Sequence, residues 1–302
     1  MIRIATRNSA LAKAQAGQVA ASFGEAELVE VTSDGEPGDK ARFVRGVEAA
    51  LLEGKADIGV HSAKDVPAEM PEELTIAAVP KREDPADVWI GVAPLLDISQ
   101  QRRQVASLSR VPEGARVGTA SLRRQAQLLA ARPDLRVSEL HGNVDTRLRK
   151  LVEGDFDAVV LAAAGLRRLG REDEASFAIP GEEMTPAAGQ GALVLQARGE
   201  DTGAIEAAAA IGDETALREL TAERAVVALL DATCSTPIGV RAEVDGERIA
   251  IEAFVGLPDG SEWIRDRVDG DATEPAPTGA LLAERLLSAG ARDILDRAEA
   301  LA

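Results

Sequence analysis

Hydrophobic and polar positions along the chain fall into short runs of two alternating periods. Arg3-Ile4-Ala5-Thr6 is a strand-like run, a polar turn follows at Arg7-Asn8-Ser9, and an Ala-rich helix is expected from about Ala10 to Ala21. Glu27 to Thr32 reads as a second strand and Ser33 to Asp39 as a turn-rich loop. Phe43, Val44, Val47 and Leu51 stand at helical spacing, which predicts a helix from Phe43 to Leu52 leading through Gly54 into a short buried strand at Ile58 to Val60. Thr75 to Val79 and Val88 to Val92 are further strands. Alternation of this kind predicts parallel sheets with right-handed crossovers.

The same grammar then restarts. Arg116-Val117-Gly118-Thr119 echoes Arg3 to Thr6, and Glu153 to Val160 echoes Glu53 to Val60 one hundred residues later. Two echoes in the same order predict two similar α/β lobes, the second with strands at Leu135 to Leu140 and Val159 to Leu161. In this alignment the loop after the Ile58 strand corresponds to Ala164 to Arg168, so the two loops would face each other across a closing cleft. Met184 to Ala192, rich in glycine, reads as a hinge crossing back to the first lobe. Helices are expected near Gly203 to Ile211 and Asp213 to Leu230, the second capped by Asp213. From Ile238 the pattern turns to antiparallel strands at Arg241 to Val244, Arg248 to Val255 and Trp263 to Val268, with turns at Asp245-Gly246 and Pro258-Asp259-Gly260. A linker at Asp271 to Gly279 then precedes one helix from about Ala280 to Ala300. The expected fold is α/β: two lobes joined by hinge segments, residues 1–82 with 190–211 and residues 83–189, plus a small C-terminal α+β domain, residues 212–302, with a three-stranded antiparallel sheet.

At 302 residues the chain has room for two or three cores, and 45% hydrophobic with 28% charged residues is an ordinary globular balance. No apolar run at the start resembles a signal peptide and none is long enough to span a membrane, so a soluble cytoplasmic protein is expected. A single cysteine, Cys234, excludes an internal disulfide and a multi-thiolate zinc site; with only His61 and His141 beside it, no metal is expected. The net charge of −17 argues against nucleic acid and acidic membranes as partners. Yet Arg116 to Arg171 holds eleven Lys or Arg against six Asp or Glu, a contrast that suggests a small anionic ligand in a pocket.

The candidate chemistry sits at strand ends. His61-Ser62-Ala63-Lys64-Asp65-Val66-Pro67 follows a buried strand, where α/β sheets form their ligand crevice, although a solvated loop with a Lys-Asp pair is the plainer account. Thr119-Ala120-Ser121-Leu122-Arg123-Arg124 passes from strand to helix. Cations in a first helical turn oppose the macrodipole, and a bound carboxylate or phosphate would explain them. His141-Gly142-Asn143-Val144-Asp145-Thr146-Arg147 repeats the arrangement, and Arg168 follows the next strand. Cys234 lies in a polar loop with no histidine placed to make it a protease-type nucleophile.

RIATRNSALAKAQA (3–16), ADIGVHSAKDVP (56–67), REDPAD (82–87), VGTASLRRQAQL (117–128), LHGNVDTRLRKL (140–151), AGLRRLG (164–170), PAAGQGAL (186–193) and ATCSTPIG (232–239) follow in this order. The set resembles the porphobilinogen deaminase (hydroxymethylbilane synthase) family over about Ile4 to Leu295. The resemblance implies lobes like those of periplasmic binding proteins, and a transferase of porphyrin (tetrapyrrole, heme) biosynthesis that condenses four porphobilinogen molecules onto a covalently bound dipyrromethane. It implies a thioether to this cofactor at Cys234, a catalytic carboxylate at Asp65, and cofactor contacts at Lys64, Thr119, Ser121, Arg123, Arg124, Arg147 and Gly165. Substrate contacts are implied at Arg7, Ser9, Gln15, Phe43, His141, Asn143, Arg168 and Gln190. A monomer acting on a small molecule is expected. His141 departs from the arginine usual before Gly-Asn-Val, the Thr32 to Phe43 loop is short, and Ala63 replaces a common methionine; Arg42 is expected to compensate in part for His141. The other classes left open are a non-catalytic bilobal module for an anionic ligand and a divergent homologue of low activity.

Overall fold

The computed structural model describes residues 1–32, 42–67, 69–91, 107–233 and 236–301, without the side chains of Arg42 and Phe43. β1 (Ile2–Arg7) leads to α1 (Ala10–Ala20), whose first turn is closed by Ser9 Oγ accepting from the Ala12 N–H at 3.3 Å. β2 (Ala26–Val31), α2 (Arg42–Leu52), β3 (Ile58–Ser62) and β4 (Leu74–Ala78) complete this stretch. The chain then crosses into β5 (Asp87–Gly91), β6 (Arg116–Gly118), α3 (Leu122–Ala131), β7 (Arg136–Ser138), α4 (Val144–Val152), β8 (Ala158–Ala162), α5 (Ala163–Arg168) and β9 (Phe177–Ala178). It crosses back into β10 (Leu193–Arg198) and α6 (Thr202–Ala209). α7 (Glu214–Leu229), capped by the Asp213 carboxylate as expected, introduces β11 (Ile238–Asp245), β12 (Arg248–Gly256), β13 (Trp263–Asp271), α8 (Pro275–Ser288) and α9 (Ala291–Ala300).

The first sheet has the order β2-β1-β3-β10-β4 and the second β7-β6-β8-β5-β9, the same plan twice. β11-β12-β13 form the small antiparallel sheet, backed by α7, α8 and α9 through Val226, Leu282, Leu286 and Ile294. Neither α/β sheet is wholly parallel, contrary to the alternation rule. β10 pairs antiparallel with β3, and β5 antiparallel with β8, because each enters from the other lobe at the carboxyl edge of its new sheet: Leu193 stands opposite Ser62, and Asp87 opposite Ala162. The repeat extends to side chains. Arg3 bonds Asp57 through its backbone N–H and guanidinium and reaches Gly54 O, and Arg116 does the same with Asp157 and Gly154 O.

Ile4, Ile58, Val60, Leu193 and Leu195 fill the first core; Trp89, Val117, Leu128 and Val160 fill the second, with Trp89 stacked on Phe177 at 6.1 Å. The expected linker at Asp271 to Gly279 is instead the end of β13 and the first turn of α8, which Pro275 starts because its missing N–H costs nothing there. The single C-terminal helix is two, parted at Gly290 with φ 101°. Among the described residues no helix is long and apolar enough to cross a membrane.

Candidate active site

β3 ends in one tight helical turn, Ala63–Asp65, held by the Val66 N–H on Ala63 O at 3.2 Å. The Ala63 N–H donates to Ala192 O at 3.0 Å, which pins this turn to the returning chain. Gly189 packs against it with φ +71°, and a Cβ there would lie 2.9 Å from the Ala63 carbonyl carbon. Asp65 keeps 29% of its side chain exposed, with Oδ2 3.7 Å from Arg7 Nη2. Lys64 is pushed down to about 8, by burial first and by the Arg124 charge next. His61 is buried and pushed down to about 4 by desolvation, so it is neutral. Its Nε2 lies 3.0 Å from Gln196 Oε1, an acceptor, so Nε2 carries the proton; Gln196 in turn donates to Glu48 at 3.2 Å. His61 is a structural residue beside the turn.

In the second lobe Ser121 Oγ caps α3, accepting the Arg124 N–H at 3.4 Å, and Thr119 Oγ1 accepts the Ser121 N–H at 3.2 Å. Arg123 and Arg124 are buried, and the anion they answer is internal. Asp87 Oδ2 accepts from Arg123 Nη1 at 2.7 Å; Asp87 Oδ1 accepts from Arg124 Nε at 3.0 Å and Nη2 at 2.8 Å, and from Gln190 Nε2 at 3.0 Å. Arg123 also reaches Thr185 O and Arg124 reaches Val160 O. Burial alone would raise the Asp87 pKa, but the two guanidiniums hold it far below the carboxylate range. These arginines thus have an internal counter-ion in Asp87, which the sequence reading did not foresee, and Gln190 joins the same cluster.

Three other cations are differently placed. Arg147 donates from Nε to Gly142 O at 3.0 Å and is pushed down to about 10 by burial and by the Arg124 charge. Arg168 donates from Nη2 to Gly191 O at 2.7 Å, while its buried Nε has no partner. Among the described residues neither of these, nor Lys64, has a carboxylate within salt-bridge reach. Partly desolvated cations without counter-ions, one with an orphaned N–H, fit a polycarboxylate such as dipyrromethane. Gly165 on α5 faces α1, a Cβ on it standing 3.9 Å from Leu11. Gln15 is buried on α1. Asn143 is occupied as the cap of α4, and His141 is exposed, 3.2 Å from Glu139 Oε2.

Cys234, the side chains of Phe43 and Arg42, and the loop 33–41 lie outside the described residues. On either side of the cysteine, the Thr233 N–H donates to Thr236 Oγ1 at 2.8 Å and the Thr236 N–H to Thr233 O at 3.0 Å. Sequence reasoning missed Asp87, and also Glu223, which is fully buried and accepts from Arg82, the Gly189 N–H and the Ala242 N–H. Their partners are distant in sequence; only REDPAD, quoted as a motif, contained a hint.

Residues 2–206 match the family model described as porphobilinogen deaminase, dipyromethane cofactor binding domain, and residues 217–288 match porphobilinogen deaminase, C-terminal domain. Porphobilinogen deaminase of Campylobacter concisus is 40% identical over 318 residues, covering 100% of this chain and 99% of its own. That of Thiobacillus denitrificans is 41% identical over 310 residues, covering 98% of each. Among solved structures, a periplasmic sulfonate-binding protein from Methylobacillus flagellatus covers 68% of this chain and 65% of its own with 13% identity and a TM-score of 0.42, too loose a likeness to add to the topology.

Proposed function

The chain belongs to the porphobilinogen deaminase family, and we propose that its cleft joins four porphobilinogen molecules head to tail on a dipyrromethane carried by Cys234. It is a transferase of tetrapyrrole biosynthesis with dipyrromethane as cofactor. One ammonia leaves at each addition, and water releases hydroxymethylbilane. The observation that carries this reading is the set of cations, Lys64, Arg147 and Arg168, that have no carboxylate within salt-bridge reach among the described residues, in a chain whose net charge is −17.

When bound, dipyrromethane supplies a tethered pyrrole carbon that attacks the substrate. The protein does the rest. Asp65, accessible beside Arg7, accepts pyrrole N–H bonds and balances the positive charge that grows on porphobilinogen as ammonia departs. Lys64, Arg147 and the orphaned Arg168 Nε bind acetate and propionate groups, and guanidinium forks suit these better than ammonium groups. Arg123 and Arg124, fixed on Asp87, add positive potential behind them. The family resemblance assigns Thr119, Ser121 and Gly165 to the cofactor and Arg7, Ser9, Gln15, Phe43, His141, Asn143 and Gln190 to the substrate. His141, paired with Glu139, gives a weaker grip than the arginine usual in the family, which favours slower elongation as a second reading. The lobes comprise residues 1–82 with 190–211 and residues 83–189; residues 212–302 form the third domain. The protein is a cytoplasmic monomer without nucleic-acid partners.

Intact mass tests the assignment. The purified chain should carry the added mass of two linked pyrrole units, and Cys234→Ser should not. An unmodified chain from cells that make porphobilinogen would sink it, leaving a binding module.

A further inference from the structure

The turn that carries Asp65 is held from outside its own lobe. Arg224, on α7, donates from Nη1 to Val66 O at 3.1 Å and from Nη2 to Pro67 O at 2.9 Å, the two carbonyls that follow Asp65. The preceding residue of the same helix, Glu223, is fully buried and accepts from the Gly189 N–H at 2.6 Å. Gly189 in turn packs on Ala63 and Lys64, its missing Cβ leaving room for the Lys64 N at 3.0 Å. Two consecutive residues of α7 therefore grip the turn, one directly at its exit and one through the hinge segment at its base. α7 also ends at Leu229, five residues before Cys234.

We propose that Arg224 is a positioning residue for the reaction: its guanidinium fixes the exit of the turn and so sets where the Asp65 carboxylate stands. This rests on the catalytic reading of Asp65. A fork on two successive carbonyls fixes both the height and the rotation of the segment, whereas glutamine is shorter and offers its two N–H groups from one nitrogen, so it does not reproduce the Nη1 and Nη2 contacts. Misplacement of a catalytic group by about 1 Å costs up to about 100-fold in rate without weakening the remaining binding contacts.

The test is porphobilinogen turnover by Arg224→Gln and Arg224→Lys, with the rate expressed per chain that carries the cofactor by intact mass. Arg224→Gln is expected to lower kcat by about 10- to 100-fold while KM moves less than about threefold, and Arg224→Lys to recover part of the loss. In an Asp65→Glu background, where the carboxylate is already displaced, Arg224→Gln should cost less than about threefold more, because the two changes act through one position. An equal cost in both backgrounds, or unchanged kcat in Arg224→Gln, overturns the inference. If Arg224→Gln gives no soluble chain, Arg224→Lys reads out instead, and kcat within about twofold of the parent overturns it. Near-normal turnover by Asp65→Asn would overturn the underlying reading separately.

Discussion

Asp87→Asn separates a structural ion cluster from ordinary surface charge. Asp87 is fully buried and receives four N–H contacts between 2.7 and 3.0 Å, three from Arg123 and Arg124 and one from Gln190. Asparagine keeps the shape but removes the charge and turns an amide N–H toward donors. It leaves two guanidiniums, each at most 5% exposed, without their carboxylate. Removing one partner of a buried pair costs about 3–5 kcal/mol. At about 2–4 °C per kcal/mol for chains of this order, the unfolding midpoint should fall by roughly 6 to 20 °C. Asp57→Asn is the internal control: its partner Arg3 is 39% exposed and stays solvated when the carboxylate is lost, so this change should cost less. The pH arm has a fixed sign. The Asp87 carboxyl lies below its unfolded value, so its stabilisation is present above about pH 4 and is lost as pH falls further; parent and Asp87→Asn should converge in acid. Urea unfolding at pH 7 gives the difference directly. If Asp87→Asn costs no more than Asp57→Asn, the ion cluster does not hold the lobe.

Lys64, at about 8, is charged below that pH and neutral above it. Its grip on cofactor carboxylates should therefore weaken as pH rises from about 8 to 9, and Lys64→Gln should remove that step from the pH profile of kcat/KM. His61, at about 4 in the fold and 6.5 unfolded, makes the protein lose stability as pH falls from 6.5 toward 4, because the unfolded chain takes the proton first. The loss amounts to about 3 kcal/mol, and His61→Gln should flatten that part of the stability curve without changing activity between about pH 7 and 8.

Local patterns exposed much of this in the sequence. The strand endings before Asp65 and Arg168, the Asp213 cap and the hundred-residue echo could all be read because each is set by neighbours within one turn or one strand. The pairing of Arg3 with Asp57 and Arg116 with Asp157 carries that echo into three dimensions. The internal partner of Arg123 and Arg124 was not legible because it lies 36 and 37 residues earlier, on another strand. Glu223 was invisible for the same reason: Arg82 stands 141 residues away. The break at Gly290 depends on one backbone angle, which helical periodicity on both sides conceals.

The two crossings between the sheets run side by side. Glu83 N–H donates to Gly191 O at 3.3 Å, Arg82 Nε to Gln190 O at 3.0 Å, and Gln190 Nε2 to Pro85 O at 2.6 Å. Two crossings fastened together by these bonds act as one connection, so a substitution in either is expected to disturb both, and a shift at Gln190 reaches Pro85 without passing through either sheet.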